Sequence, residues 1–245
     1  NILGRAYAGV QNIEQAINYL QKAIDMSPEF ISARLGLGDI YVKTQQYDQA
    51  EVEANKVLEI QKDVAEAHML LGLAAVGREE FEAAKREFEH ALKANSELWE
   101  AQYQLGLVQK TLGESKDALE SLERTLRLQP QYLPALVNVT LWTFEARDFQ
   151  KALEYGRKAL VHDPNNVMVL NVLSAVYAQT GQYNEALAHI EKARQIQPDA
   201  PNLDITLGVI YLGQREFDKA IETAEKAQAS QPDNPVIYDT LGRAY

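Results

Sequence analysis

Apolar side chains recur along this chain at spacings of three and four residues, the signature of helices with one buried stripe. The stripes themselves recur at a longer interval. Leu-Gly-Arg-Ala-Tyr stands at Leu3–Tyr7 and again at Leu241–Tyr245, an offset of 238 residues, or seven times 34. A period of 34 is that of a helix–turn–helix unit. Rows of 34 starting at Ile31, Ala65, Trp99, Leu133, Val167, Pro201 and Pro235, preceded by a partial row, keep register with no insertion or deletion. Position 7 is Leu or Val throughout, and positions 4, 7, 8 and 11 form the stripe of a first helix. Position 8 is Gly4, Gly38, Gly72, Gly106, Thr140, Ser174, Gly208 and Gly242, and position 20 is alanine in all seven copies from Ala16 to Ala220. Small residues at these two positions let two helices cross with their backbones close. Position 17 is mostly aromatic (Tyr47, Phe81, Phe149, Tyr183, Phe217) and is placed to plug the corner where the second helix starts. Proline at position 32 (Pro28, Pro130, Pro164, Pro198, Pro232) lacks an amide hydrogen and disfavours helix in the residue before it, so it ends that second helix. The pattern predicts helix A, turn, helix B, turn, seven times over.

This pattern resembles the tetratricopeptide repeat, and the resemblance covers the whole chain. It departs at position 4, often tryptophan in that family and here Arg34, His68, Gln102, Leu136, Leu170, Asp204 and Tyr238. It departs most in residues 133–166, where VTLWTFEA replaces the small-and-tyrosine pattern. The resemblance implies an all-α fold, a right-handed α-α superhelix of antiparallel helix pairs in 34-residue repeats. The expected organisation is one array over 1–245: a partial repeat 1–30, full repeats 31–64, 65–98, 99–132, 133–166, 167–200 and 201–234, and a partial repeat 235–245. The period outweighs the one or two domains that 245 residues alone suggest.

Composition restricts function more than fold. At 46% apolar and 24% charged the chain is ordinary for a soluble globular protein, and no run of 18 apolar residues spans a membrane. A net charge of −11 without basic clusters argues against nucleic acid and against an anionic membrane surface. The absence of cysteine removes disulfides, thiolate catalysis and cysteine-based zinc sites, and leaves cytosol and bacterial periplasm equally open as compartments. His68, His90, His162 and His189 have no second histidine at i+3 or i+4, the spacing at which one helix offers two metal ligands, so surface or inter-repeat roles and no metal site are expected. No phosphate-binding loop, nucleophile elbow or dinucleotide fingerprint occurs. The chain is therefore read as non-catalytic, with no cofactor.

In the family the A helices line the concave surface. At about 100° per residue, positions 2, 5, 9, 12 and 13 cluster roughly 120° from the packing stripe and are free of the repeat's own core. They nominate a partner-binding groove: Leu35, Asp39, Met69, Leu73, Val76, Tyr103, Leu107, Lys110, Val137, Leu141, Phe144, Ile205, Val209 and Leu212. The middle rows form an apolar strip, and contiguous apolar surface of this kind marks an interaction site. Its competing reading is that neighbouring A helices cover it themselves. Charges collect toward the ends (Arg5, Asp39, Lys43; Asp239, Arg243), with Glu66 and Glu100 as an acidic margin. Lys110 is placed to take a carboxylate or carbonyl; Trp142 points toward helix packing and is expected in the core. Two specialised family functions are not supported. The carboxylate clamp needs lysine at position 5 and asparagine at 9, which are absent. The asparagine ladder of O-linked N-acetylglucosamine transferases at position 6 is reduced to Asn138.

Both ends fall inside a helix A and leave Ile2, Leu3 and Tyr7, or Tyr238, Leu241 and Tyr245, without a cap; a fragment of a longer array that self-associates head to tail is expected. The leading reading is a scaffold that binds an apolar-anchored segment of another protein. The alternative is an assembly segment of a bacterial envelope machine, such as an exopolysaccharide-export or exosortase-associated lipoprotein. A weaker alternative is the targeting arm of an enzyme whose catalytic domain lies elsewhere.

Overall fold

The structure, a computed structural model, describes residues 13–200 and 202–245. The expectations placed on Ile2, Leu3, Arg5 and Tyr7 lie outside the described residues. Every described element is helical: α1 (Ile13–Met26), α2 (Ile31–Lys43), α3 (Tyr47–Ile60), α4 (Ala65–Gly77), α5 (Phe81–Ala94), α6 (Trp99–Thr111), α7 (Ser115–Leu128), α8 (Leu133–Glu145), α9 (Phe149–His162), α10 (Val167–Gln179), α11 (Tyr183–Ile196), α12 (Leu203–Gly213), α13 (Phe217–Ser230) and α14 (Pro235–Ala244). From α2 to α10 each A helix starts at position 1 and each B helix at position 17, as the period requires. This is the expected all-α helical repeat.

The chain forms two compact units, Asn1–Gln129 and Pro130–Tyr245. In the first, α2 pairs with α3, α4 with α5 and α6 with α7; the repeats join through α3 against α4 and α5 against α6. In the second, α8 pairs with α9, α10 with α11 and α12 with α13, and successive A helices α8, α10, α12 and α14 also touch.

The position 20 alanines from Ala16 to Ala220 are all fully buried at these crossings. Opposite them, positions 8 and 24 meet, and in three repeats a small residue at one accepts a larger one at the other. Gly72 lies under the Phe88 ring, so close that a Cβ would stand 2.5 Å from Cε1; Gly106 lies against Leu122. In the divergent repeat 133–166 the order reverses, with Thr140 at position 8 and Gly156 at position 24. The hydroxyls this introduces are satisfied locally. Thr140 Oγ1 donates to Leu136 O at 2.7 Å and Thr143 Oγ1 to Val139 O at 2.6 Å, while Ser174 Oγ donates across the crossing to Ala186 O at 2.8 Å. At position 17 two tyrosines fill space against the following repeat and not only at their own corner, while Phe217 is exposed. The Tyr47 ring occupies the space beside Gly77 in the following repeat, and Tyr183 that beside Gly213.

Every A–B turn described closes in the same way. The residue at position 15 takes a left-handed conformation, at Gln45, Glu79, Gly113, Arg147, Gly181 and Arg215. The next amide reaches back to the position 11 carbonyl, as in Gln46 N to Tyr41 O at 2.7 Å and Asp148 N to Thr143 O at 2.8 Å. This is the Schellman closure, which satisfies the orphan carbonyls of the last turn. Only two of the six residues are glycine.

Candidate functional site

Each unit carries a cleft on its A-helix face. In the first, a cleft of about 630 Å³ has Leu35 and Asp39 of α2 and Met69 and Leu73 of α4 along it, with Ile13 and Leu98 closing the ends. Its rim is charged: Lys43, Glu66 and Glu100 join Asp39, and Lys43 Nζ donates to Asp39 Oδ2 at 2.7 Å. With Lys43 and Asp39 offsetting each other, Glu66 and Glu100 leave the rim negative. In the second unit, a cleft of about 380 Å³ is lined by Leu141 and Phe144 of α8, Asn171 and Ala175 of α10, and Ile205 and Val209 of α12. Met168 and Val236 stand at its edge, 55% and 42% exposed. A neighbouring depression of about 440 Å³ shares Val209 and Val236 and adds Leu212, Asp239 and Arg243.

Positions 2, 5 and 9 supply both main clefts, positions 12 and 13 reappear among their walls, and positions 6 and 34 contribute as well. Gly36, Leu70, Val172 and Thr206 at position 6 enter because a helix face wide enough to border a cleft spans more than one residue per turn. Position 6 lies outside the set of positions that the helical angle alone nominates from the sequence.

Thirteen of the fourteen nominated residues are half-buried, while Leu212 is 9% exposed and belongs to the core as much as to its depression. Met69, Leu73 and Val76 lean on the cluster around Phe88, and Leu141 and Phe144 on that around Val172 and Val176. The Phe144 and Phe149 ring centroids are 6.1 Å apart. Self-packing and exposure therefore share these side chains. Val76, Tyr103, Leu107, Lys110 and Val137 border neither cleft. Trp142, expected in the core, is half-buried. Asn171 in the second cleft has a carboxamide oxygen that is buried without a hydrogen-bond partner.

The groups with displaced protonation stand apart from the main clefts. A hydrogen bond from Lys85 to the Glu114 carboxylate raises the Lys85 ammonium, one from Lys158 to Glu154 raises Lys158, and burial raises the Tyr41 phenol. All three move away from neutral pH, opposite to what a general acid or base requires. Among the described residues no helix is long and apolar enough to cross a membrane.

The histidines depart from expectation. His68 and His90 share the repeat 65–98, and the helix pair α4–α5 brings their rings together, 5.2 Å between centroids. His68 Nδ1 also lies 2.8 Å from Glu87 Oε2. Spacing along one helix carries no signal for a pair contributed by two helices, His68 from α4 and His90 from α5.

Comparison with known proteins places the chain. One tetratricopeptide repeat family profile matches residues 8–74 and 177–244, and a second matches 69–132 and 144–201. No curated protein matches. Among solved structures, the chain is similar to YrrB, described as a tetratricopeptide repeat protein with an unusual peptide-binding site. The two are 26% identical, with 75% of this chain and 95% of that one covered at a TM-score of 0.66. MamA is 26% identical over 66% of this chain and 94% of its own, at 0.57. PilF of Pseudomonas aeruginosa, 19% identical over 85% and 95% at 0.68, shares the fold. With the period, the helix pairs, the buried alanine column and both profiles in agreement, the chain belongs to the tetratricopeptide repeat family.

Proposed function

We propose that the chain is a non-catalytic scaffold whose clefts each hold a segment of a partner polypeptide through apolar anchors. The observation that carries this is the half-exposed apolar floor of both clefts, Leu35, Met69 and Leu73 in one and Leu141, Ile205 and Val209 in the other. Tetratricopeptide repeat proteins are generally scaffolds for protein or peptide partners, and the YrrB relative is described with a peptide-binding site. The unbroken register over 1–245 favours a single array.

The chemistry of the walls specifies the segment. Alternate apolar side chains on a bound helix or strand fit the floor. Lysine or arginine beside them complements Glu66 and Glu100 in the first cleft. Because apolar contact dominates, affinity falls only weakly with salt, unlike a charge clamp.

Peptides selected by display on the chain provide the test, with affinities measured by calorimetry. Leu73→Asp and Met168→Asp are expected to weaken binding in the first and second cleft, respectively, by tenfold or more. Met168 is exposed, so its variant isolates recognition from folding. Selected peptides that bind both variants as tightly as the wild type would reject the cleft assignment.

A further inference from the structure

In three repeats of this chain, position 4 of helix A meets position 23 or 26 of helix B, two positions close to one turn apart on the same side: Arg34 with Glu53, His68 with Glu87, and Asp204 with Lys226. Position 26 carries a fixed cation in every other copy: Lys22, Lys56, Arg124, Lys158, Lys192 and Lys226. Where position 4 or 23 is acidic, that cation neutralises it. Lys56 Nζ is 2.9 Å from Glu53 and Lys226 Nζ 3.2 Å from Asp204. Repeat 65–98 breaks the rule. Its trio is His68, Glu87 and His90, one carboxylate and two imidazoles with no lysine or arginine among them.

We propose that His68, Glu87 and His90 bind a divalent transition-metal ion of the zinc type, which supplies beside Glu87 the positive charge that Lys56 supplies beside Glu53 and Lys226 beside Asp204. One donor atom from each residue lies within 4.8 Å of the other two. Zinc bonds nitrogen and carboxylate oxygen at about 2.0–2.2 Å, so tetrahedral coordination needs donors about 3.3 Å apart. The His68–Glu87 pair, at 2.8 Å, is already close to that spacing. His90 is the exposed member, so its side chain has room to turn toward the other two. His68 and Glu87 are held by packing, with side chains 14% and 28% exposed, which keeps two of the three ligands in place before the ion arrives. Two imidazoles and a carboxylate form a donor set suited to zinc, and the open side leaves the fourth position to water. The bound ion clamps α4 to α5.

The test is calorimetric titration of Zn²⁺ into the untagged, chelator-treated chain, with melting followed in parallel. One ion per chain and a rise in melting temperature with zinc are expected. His90→Lys restores the residue type of the other repeats and so leaves the metal-free protein folded. It is expected to weaken zinc binding at least about tenfold and to abolish the thermal shift. Glu87→Gln, which keeps the shape of the side chain, is expected to weaken binding as well. The double variant His162→Ala/His189→Ala is expected to bind as the wild type. No saturable zinc binding, undiminished binding by His90→Lys, or loss confined to the His162/His189 variant would each overturn the assignment.

Discussion

At the scale of single residues, the departures from the family at position 4 are compensated by charge as well as by apolar bulk. Arg34 and Glu53 are 8% and 7% exposed and paired at 2.6 Å; the Arg34 Nε also donates to Pro28 O at 2.9 Å. A buried pair of this kind is costly to break and cheap to replace. Glu53→Ala is expected to cost about 3–5 kcal/mol by stranding the guanidinium. The double change Arg34→Leu/Glu53→Leu is expected to recover most of it, since Leu136 and Leu170 already fill position 4 elsewhere. Hydrogen exchange in α2 and α3 reads the effect locally. The 8/24 crossing makes a second prediction. Gly72→Ala drives a methyl into the Phe88 ring and is expected to cost about 1–3 kcal/mol. Adding Phe88→Leu should return part of that loss, giving a non-additive double-mutant cycle in denaturant melts. The sequence identified the small residues at positions 8 and 20 from periodicity alone. It did not reveal that position 24 meets position 8, as Phe88 does Gly72, because that contact belongs to two helices and neither residue's type announces it.

At the scale of the element, helix starts and stops follow rules carried by the chain itself. The A–B turn is a case where geometry is uniform and sequence is not. Position 15 is left-handed whether occupied by Gly113 and Gly181 or by Gln45, Glu79, Arg147 and Arg215. A side chain in that conformation costs about 1–2 kcal/mol, partly offset by the extra entropy that glycine loses on folding. Arg147→Gly is therefore expected to stabilise the α8–α9 hairpin by about 0.5–1 kcal/mol, and Gly181→Ala to destabilise α10–α11 by a similar amount. Thermal melts of the two variants should move in opposite directions. The turn was legible as a turn, but its left-handed residue was not. Four of the six occupants give no compositional signal, and the Schellman hydrogen bonds dictate the conformation regardless of the side chain.

At the scale of the molecule, each unit presents an apolar cleft built from helix faces that the 34-residue period had already set apart from the packing stripe. Recognition that rests on those floors predicts a salt response set by the rims. For peptides bound to the first cleft, raising ionic strength from 0.1 to 1 M shortens the screening length from about 10 to 3 Å. It is expected to remove the preference for basic flanks while leaving apolar anchoring in place. Affinity that collapses with salt would instead indicate a charge-driven site.

The sequence by itself determined the repeat length, the helix pairs, the buried alanine column and the helix face set apart from the packing stripe, because each follows from spacing along one helix. Tertiary structure alone decided which of those face residues border a cleft, which lean on a neighbour such as Phe149, and that His68 meets Glu87 and His90. Those outcomes depend on which turns of two different helices come into register, and side-chain distance across a crossing is encoded by no periodicity within either helix.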